Sequence, residues 1–374
     1  MVYRVIGLMS GSSLDGLDIV YVHLQEVAGK WNFEIIQSAC YPYNREWIMR
    51  LRSATGLTAW DYQLLHVAYG HYLGEQVNLF MQQNDLYYQV QLISSHGHTS
   101  FHHPEKKMTA QLGDGAALAV STGINVVSDL RAIDMALGGQ GAPIVPIGEK
   151  LLFGSYDFFL NLGGIANISC QQRGAFIGFD ICPANRILNM LAGERDLEYD
   201  KDGALAETGG IDWDLLARLN ELTYYDQPWP KSLSNDFGQE VVYPLIRENG
   251  GRLEDRLRTY CEHICIQVKK AVDGLVHEYL EKEKEELGKE RIPSRPRIFI
   301  TGGGALNGFL IKLLKIKLEN AGVIPVIPER EIILYKEALV MALMGVLRWR
   351  EEDNVLASVT GASRNSIGGA VWIG

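Results

Sequence analysis

Apolar residues along the chain follow two patterns, short runs typical of strands and a three-to-four-residue spacing typical of helices. The strand-like runs cover residues 3–9, 17–24, 31–43, 90–99, 124–129, 174–180 and 322–327, with a further pair inside residues 158–170. Helical spacing covers residues 58–83, 109–123 and 334–350, and residues 297–318 combine a strand, a glycine turn and a helix. Strands that alternate with helices predict an α/β fold.

One arrangement occurs twice. Residues 1–24 and residues 158–170 both consist of a strand, a turn rich in glycine and a second strand. We therefore expect two similar halves. If these halves face each other across a cleft, both turns would contact one ligand. The Gly- and Pro-rich residues 136–146 are either a domain junction or a binding loop. The expected domains are residues 1–135, to which residues 355–374 could return, and residues 136–354.

Composition narrows the class of function. The 374 residues carry a net charge of −10 and no basic stripe, which argues against nucleic acid and anionic membranes as partners. The five cysteines are scattered, which indicates reduced thiols rather than a disulfide framework, and Cys261 and Cys265 suit one buried helix face. No signal peptide and no apolar run of about 20 residues is recognisable, so a cytoplasmic protein is expected.

The loop within residues 5–24 combines features suited to an anion with features suited to a cation. Backbone N–H groups at Gly11 and Gly16, with the hydroxyls of nearby serines, suit phosphate oxygens. Asp15 and Asp18 would repel phosphate directly, and a Mg²⁺ ion between carboxylate and phosphate, often through water, removes that conflict. The alternative is an ordinary turn whose side chains bond the local backbone.

Two further glycine turns have similar alternatives. Gly163 and Gly164 either admit a ligand to the backbone or form a plain hairpin turn. The run at residues 302–304 follows a strand and opens a helix, as at a nucleotide site, although it does not match the NAD fingerprint. Asp180 ends an apolar strand, where it could act as a general base or as the N-cap of the next helix.

Polar residues in the first half of the chain suggest a place for a polar substrate. His98 and Thr99 belong to a run with four histidines, for which hydrogen bonding is favoured over metal binding because no ligand sits at metal spacing. Arg131 could face a substrate carboxylate, or pair with Asp129 or Asp134. The last long helix and the tail GGAVWIG are candidates for a homodimer interface.

The order in which several sequence motifs occur along the chain indicates a protein family. These are GLMSGSSLDGLD, SHGHT, QLGDGAALA, DLRAIDMALGGQGAPIVP, NLGGIANIS, GFDICPAN, YDKDGALAETG, KSLSNDFG and ITGGGALN. In this order, nearly the whole chain resembles the anhydro-N-acetylmuramic acid kinase family. The resemblance implies two ribonuclease-H-like domains of the sugar kinase, Hsp70 and actin superfamily, with a central cleft for ATP.

The same resemblance implies a reaction and residue roles. ATP would phosphorylate O6 of 1,6-anhydro-N-acetylmuramic acid while water opens the anhydro bridge, with Asp180 as the base and Glu337 assisting near the sugar. Glu337 could instead be a helix-surface acid beside Lys336. His98, Thr99, Asp129 and Arg131 would bind the sugar, and Asp15 would hold Mg²⁺ through water. The residues implied for ATP are Ser10, Gly11, Ser12, Ser13, Leu14, Asp15, Gly16, Leu17, Asp18, Gly163, Gly164, Gly303, Gly304 and Asn307.

The chain departs from the family pattern at three places. His98 stands where the family has Gln, and Ile181 with Cys182 replaces Thr-Gly. The run LSNDFG follows PKS, where the family has a Thr-Gly-Arg type run. A kinase for a different sugar and a non-catalytic module that closes around ATP are therefore the alternatives, with an NAD enzyme a third.

Overall fold

A computed structural model describes residues 1–11, 13–172, 174–229, 231–234, 236–287 and 294–374, without the side chains of residues 281–287. Of the sequence-predicted site residues, Ser12 lies outside the described residues. Contacts between Cα atoms divide the chain into two compact units, one formed by Met1–Gly154 with Tyr335–Gly374 and the other by Ser155–Leu334. The first is called unit 1 here and the second unit 2.

Unit 1 is built on a seven-stranded mixed sheet. Its strands are β1 (Val2–Ser10), β2 (Gly16–Val27), β3 (Lys30–Pro42), β4 (Leu92–His103), β5 (Met108–Leu112), β6 (Val126–Ser128) and β12 (Ala370–Trp372). The order is β12-β6-β4-β1-β2-β3, with β5 paired to β4. Strands β1, β2 and β3 form an antiparallel meander, and β4 and β6 run parallel to β1 and to each other.

The helices of unit 1 cover this sheet. They are α1 (Arg45–Arg52), α2 (Ala59–Gln83), α3 (Gly115–Thr122), α4 (Ala132–Ala136), α5 (Pro146–Leu152), α12 (Arg330–Trp349, whose first residues belong to unit 2) and α13 (Ala357–Thr360). Thr58 caps α2 by accepting the N–H of Asp61, as the sequence pattern predicts for a helix starting there. Gly7 of β1 lies against α12, because a Cβ there would stand 2.0 Å from the carbonyl oxygen of Ala338.

Unit 2 has a five-stranded sheet of the order β11-β10-β7-β8-β9. Its strands are β7 (Phe158–Leu162), β8 (Ile165–Gln172), β9 (Ala175–Pro183), β10 (Arg297–Thr301) and β11 (Ile324–Val326). Its helices are α6 (Asn185–Ala192), α7 (Ala204–Glu207), α8 (Trp213–Asn220), α9 (Tyr243–Asn249), α10 (Leu253–Leu287) and α11 (Gly308–Asn320). Strands β7, β8 and β9 form an antiparallel meander, with β10 and β11 parallel to β7.

The two sheets therefore repeat one topology. The path β3-β2-β1-β4-β6 in unit 1 has the same order and directions as β9-β8-β7-β10-β11 in unit 2. Both strand–turn–strand segments of the sequence occupy the same place in this path. The α/β class and the duplication are thus confirmed, and each sheet has the strand order expected of a ribonuclease-H-like domain.

Some sequence expectations differ from the structure. The first part of residues 109–123 forms β5 rather than helix, because it pairs with the free edge of β4, and α3 begins only after its N-cap Asp114. His96 and His98 lie inside β4 and not in a turn, since Gly97 adopts a φ of 70° and lets the strand continue. The contact division falls after Gly154 rather than near residue 135, so that residues 136–146 lie within unit 1.

The expected dimer elements are used inside unit 1. Helix α12 is buried over residues 338–347 instead of being amphipathic, as expected for a helix that is apolar on all sides. The tail forms β12, which pairs with β6. All five cysteines are free thiols, and Cys261 and Cys265 are fully buried on α10. None of the helices in the described ranges is both long and apolar enough to cross a membrane.

Candidate active site

The first glycine loop joins β1 to β2, and its own side chains close the turn. Asp15 accepts hydrogen bonds from the Ser13 hydroxyl (2.7 Å) and from the Gly16 N–H (3.1 Å). Gly16 is required by packing, because a Cβ there would lie 2.7 Å from the Cys40 sulfur. An ordinary turn thus accounts for the hydrogen bonds of Asp15 and for the presence of glycine at position 16. It leaves Gly11 open, since the nearest atom to a Cβ there is the Ser13 hydroxyl at 3.4 Å.

The two leucines of this loop, Leu14 and Leu17, are buried in the core of unit 1. Their side chains are therefore committed to packing. The Leu14 N–H donates to the Gly11 carbonyl (3.4 Å), and Leu17 is paired with Ser10 of β1 and Tyr41 of β3. Leu14 has a φ of 59°, a conformation that few side chains adopt. The loop is consequently anchored in unit 1 by apolar side chains.

Asp18 lies in a different environment from Asp15. Burial raises the pKa of Asp18 to about 6, a hydrogen bond from Cys40 lowers it, and the charges of Asp15 and Glu337 raise it further. Partial desolvation of the otherwise exposed Cys40 thiol, with the charge of Asp18, raises the pKa of that thiol to about 12. Asp15, Asp18 and Glu337 thus form an acidic group in unit 1, and such a group favours the approach of a cation.

Ser10 is the centre of a buried hydrogen-bond chain. The Tyr43 hydroxyl donates to the Ser10 hydroxyl (2.7 Å) and lies 2.5 Å from the Tyr69 hydroxyl. The Ser10 hydroxyl lies 3.0 Å from Nδ1 of His98. Burial lowers the pKa of His98 to about 4, so its imidazole is neutral near pH 7.

Arg131 is held by neighbours other than the two aspartates considered from the sequence. Its Nε donates to Nε2 of His96 (2.9 Å) and its Nη1 donates to the Gly141 carbonyl (2.6 Å). Burial lowers its pKa to about 10 and Glu337 and Asp134 oppose that effect. Burial and the Arg131 charge lower the pKa of His96 to about 3, which keeps this imidazole neutral.

The remaining sugar candidates have local partners. Thr99 accepts a hydrogen bond from the Gln111 amide (3.3 Å), and Asp129 accepts one from the Ser128 hydroxyl (3.0 Å). Glu337 is half-buried on α12, and the adjacent Lys336 pairs with Glu149 instead. Its electrostatic influence on both Asp18 and Arg131 places Glu337 at the acidic group of unit 1 rather than on an isolated helix surface.

The outer two histidines of the histidine-rich segment contact polar side chains next to them. His102 lies against Thr109 and His103 against Glu105. Within the described ranges of the chain, no three or more His, Cys, Asp or Glu side chains are grouped so as to hold a metal ion.

In unit 2, Asp180 sits at a β-bulge of the edge strand β9. Asn167 of β8 pairs with Asp180 and Ala166 with Cys182, which leaves Ile181 as the extra residue. Ile181 and Cys182, the residues that depart from the family pattern, are both buried. Helix α6 has Ala184 as its N-cap without a side-chain bond, so Asp180 does not cap that helix.

Asp180 is fixed by three hydrogen bonds. Its carboxylate accepts the Leu233 N–H (2.9 Å), its carbonyl accepts the Tyr224 hydroxyl (2.7 Å), and its own N–H donates to the Lys231 carbonyl (3.2 Å). Burial raises the pKa of Asp180 and the Leu233 N–H lowers it. A half-buried, oriented carboxylate with a raised pKa is suited to accept a proton.

The other glycine turns of unit 2 lie side by side at the ends of the parallel strands β7 and β10. A Cβ on Gly302 would stand 2.5 Å from the Asn161 side chain, and one on Gly304 would stand 2.7 Å from Leu162. The closest side-chain atom to a Cβ placed on Gly163 would be an amide nitrogen at 3.4 Å, and for a Cβ on Gly303 it would be an amide nitrogen at 3.5 Å. These two positions are therefore more open. Ligands of α/β sheets bind at such carboxyl ends.

Asn307 has a structural task in addition to the one implied for it. Its side-chain oxygen accepts the Leu310 N–H (3.0 Å) and so caps α11. Asp202 adds a second acceptor at this helix start, taking the Gly308 N–H (2.8 Å). Any nucleoside contact from Asn307 would therefore have to use its remaining amide hydrogens.

Sequence reasoning did not single out several polar residues that the structure brings to these turns. The Asn185 amide donates to the Leu162 carbonyl (2.8 Å) and flanks Gly303. Arg186 lies beside Gly164, 3.8 Å from a Cβ placed there, and has no ion-pair partner among the described residues. Asn161 ends an apolar strand, and Asn185 with Arg186 directly follows the CPA segment after Asp180. These sequence positions could have identified the three residues as candidates for the site.

Comparison with known proteins identifies a family and several relatives. The family model described as anhydro-N-acetylmuramic acid kinase matches residues 3–374. The chain is 32% identical to the anhydro-N-acetylmuramic acid kinase of a Sulfurovum species, covering 99% of both chains. It is 31% identical to that of Vibrio cholerae, covering 98% of this chain and 97% of the relative. A solved activator of 2-hydroxyisocaproyl-CoA dehydratase from Clostridium difficile aligns with a TM-score of 0.38 at 15% identity, covering 94% of this chain and 96% of that one.

The family model spans both units, and its match includes the loop between β1 and β2, the strand that carries Asp180 and the glycine run after β10. The chain belongs to the anhydro-N-acetylmuramic acid kinase family.

Proposed function

We propose that the protein uses ATP to phosphorylate O6 of 1,6-anhydro-N-acetylmuramic acid while water opens the anhydro bridge, giving N-acetylmuramic acid 6-phosphate for cell-wall recycling. The observation that supports this most strongly is the family match over residues 3–374, which includes the Asp180 strand. The free thiols and the use of ATP make the cytoplasm the expected compartment.

Asp180 is the proposed base. It takes a proton from a water molecule, the water oxygen attacks the anomeric carbon, and the C1–O6 bond breaks. The released O6 then attacks the γ-phosphate of ATP and ADP leaves. The Leu233 N–H and the Tyr224 hydroxyl hold Asp180 in one orientation, which favours the attack because the reacting groups need not be ordered again.

The residues proposed for the nucleotide phosphates are those that the family resemblance implies. They are residues 10–18, Gly163, Gly164, Gly303 and Gly304, and backbone N–H groups among them that have no other partner would bind phosphate oxygens. Arg186 supports this assignment because it is a cation beside Gly164, and a chain with a charge of −10 must neutralise a triphosphate locally. Asn307 would contact the nucleoside.

The acidic group of unit 1 fits Mg²⁺. This ion keeps several waters and binds through one or two carboxylates together with phosphate oxygens, so a dedicated set of three protein ligands is not required. Asp18 and Asp15 would hold it, Asp15 through water. When bound, Mg²⁺ supplies positive charge to the transferring phosphate. His98, Thr99, Asp129 and Arg131 would bind the sugar, with Glu337 beside it.

The test is ADP release with ATP, Mg²⁺ and the anhydro sugar in oxygen-18 water. We expect ADP formation and heavy oxygen at C1. Asp180→Asn should lower kcat by about a thousandfold or more while ATP still binds, because the general base is lost. Asp273→Asn, on the exposed side of α10, is the matched control and should keep full activity.

Other outcomes would identify the alternatives. ATP binding without ADP formation would mean that the sugar is wrong, and a screen of other sugars would follow. Sugar-dependent turnover that survives Asp180→Asn would remove Asp180 from the base role.

A further inference from the structure

Helix α2 of unit 1 presents large side chains to solvent along one face. Trp60, Leu64, Val67 and His71 follow one another at spacings of four, three and four residues, which places them on the same side of the helix. All four are exposed, Trp60 by 75% and Leu64 by 55%. The residues of α2 that pack into the core lie on the opposite side, and they include Leu65, Tyr69, Leu73, Val77 and Phe80. The packing of unit 1 therefore does not account for the exposed apolar side chains.

This exposed face continues onto neighbouring segments of unit 1. Leu57, three residues before Trp60, is exposed, and so is Val120 of α3, by 78%. Helix α3 contacts α2 directly, because the Ser121 hydroxyl lies 2.9 Å from Nδ1 of His71. Val120, the neighbour of Ser121, thus adjoins the exposed face of α2. Leu57, Trp60, Leu64, Val67, His71 and Val120 are called the α2 patch here.

Charged side chains are scarce around the α2 patch. Helix α2 contains Asp61 and Glu75 as its acidic residues, and α3 contains no charged residue. From residue 53 to residue 105 the chain has neither lysine nor arginine. Depletion of charge around aromatic and aliphatic side chains is typical of the centre of a protein–protein interface. A nucleic acid or an anionic membrane would find no lysine or arginine on either helix, so the partner that fits is a protein surface of similarly low charge.

The size of the α2 patch matches a dimer interface. It exposes about 400–500 Å² of apolar side-chain surface, comparable to the largest patches on monomeric proteins. A stable dimer of standard size buries about 800 Å² on each partner, of which about 65% is apolar in homodimers. The patch thus supplies most of the apolar area that a homodimer interface needs.

We propose that the α2 patch is the contact between two copies of this chain, related by a two-fold axis with their α2 helices antiparallel. In such an interface residue i faces residue j and residue j faces residue i. An axis midway between Leu64 and Val67 sets Leu64 against Val67 of the partner subunit and Trp60 against His71 of the partner subunit. Asp61 then lies near the same histidine, and the two Asp61 carboxylates stay apart. Parallel helices would instead bring identical carboxylates together, which is unfavourable.

The inference concerns unit 1 alone and does not depend on the proposed function. Sedimentation velocity of the full chain over about 1–100 µM measures the association, and we expect a dimer at the upper end of this range. Leu64→Lys should raise the Kd of the dimer at least about tenfold, because it buries an unpaired ammonium group at the centre of the contact. Trp60→Ser should act in the same direction, because it removes the aromatic anchor.

Trp213→Ser is the matched control, since Trp213 is an exposed tryptophan on α8 of unit 2, outside the α2 patch. It should leave the Kd within about twofold of that of the unmodified protein. Thermal melting of each variant shows that it is folded. A protein that is monomeric at about 100 µM would overturn the inference. A dimer that Leu64→Lys and Trp60→Ser leave intact, or that Trp213→Ser weakens equally, would also overturn it.

An exchange of charges tests the antiparallel arrangement. His71→Glu places a carboxylate near Asp61 of the partner subunit and should weaken the dimer at least about fivefold. Asp61→Lys combined with His71→Glu should restore the affinity, because opposite charges then face each other across the axis. Ten residues separate positions 61 and 71 on α2, so the rescue does not arise within one subunit. A double variant as weak as His71→Glu alone would overturn the antiparallel arrangement.

Discussion

At the scale of single residues, Asp15 and Asp18 of one loop have opposite effects on the stability of the fold. Asp15 accepts two hydrogen bonds within its own turn and so stabilises it. Asp18 is half-buried near other carboxylates, and its ionised form costs free energy that the Cys40 hydrogen bond only partly offsets. A charged group that destabilises the free protein is expected where a ligand requires that charge.

Replacing Asp18 should therefore stabilise the free protein. A pKa raised to about 6 from 3.8 means that the folded state binds more protons than the unfolded state between these values. The destabilisation is fully present above about pH 6 and disappears as the pH falls towards 4. Asp18→Asn should raise the free energy of unfolding by about 1–3 kcal/mol at pH 7.5 and by much less at pH 4.5, measured by denaturant titration.

The control is Asp15→Ala, which removes the acceptor of two turn hydrogen bonds and should lower stability by about 1 kcal/mol at either pH. Equal effects of the two variants would mean that the environments of the two carboxylates are alike. Asp18→Asn should also weaken Mg²⁺–ATP binding.

At the scale of elements, the bulge in β9 determines where Asp180 lies. An extra residue in an edge strand turns the strand locally, and the surrounding hydrogen bonds then have to hold the new direction. The Tyr224 hydroxyl supplies one of these bonds from the segment that follows α8. Tyr224 is accordingly a positioning residue, which acts through Asp180.

Tyr224→Phe should lower kcat about three- to tenfold and leave KM for ATP unchanged, because the carboxylate remains but its backbone is less firmly held. Steady-state kinetics with the anhydro sugar would measure this separation. Tyr243→Phe removes a hydroxyl that donates to the more exposed Glu194 and should change neither constant. A Tyr224→Phe enzyme with a changed KM for ATP and full kcat would contradict the positioning role.

At the scale of the whole molecule, the chain passes between the units after Gly154 and again before Tyr335. Close to both passages, within unit 1, Lys336 of α12 and Glu149 of α5 form an ion pair of 2.9 Å, with side chains that are 5% and 6% exposed. A pair this deeply buried costs desolvation, and loss of one partner leaves an uncompensated charge. The pair therefore links the end of the first chain segment of unit 1 to the start of its second segment.

Glu149→Gln should lower the free energy of unfolding by about 3–5 kcal/mol, and the loss should be concentrated in unit 1. Hydrogen exchange measured by mass spectrometry should show faster exchange in peptides from residues 1–154 and 335–374 than in peptides from residues 155–334. Glu207→Gln, which removes the partner of Lys312 in an exposed pair, should cost less than about 1 kcal/mol. Uniform acceleration over both units would show that the pair does not act within unit 1 alone.

The sequence alone was sufficient for the strand and helix order, the two repeated glycine turns and the positions that carry the family motifs. Strands β1 and β2, helix α2 and the β7–β8 hairpin all lie where periodicity predicts them, because the alternation of side chains and the preferences of turn residues act over a few neighbouring residues. Long-range pairing overrode this local signal where residues 109–112 became β5.

Only the tertiary structure decided what the individual site residues contact. It showed that Gly16 serves packing against Cys40, that Arg131 bonds His96 and Gly141, and that Asp180 is held by groups 44 to 53 residues away. These facts depend on distances between segments far apart in the chain, and such distances are fixed by the packing of whole sheets and helices, which no local pattern records.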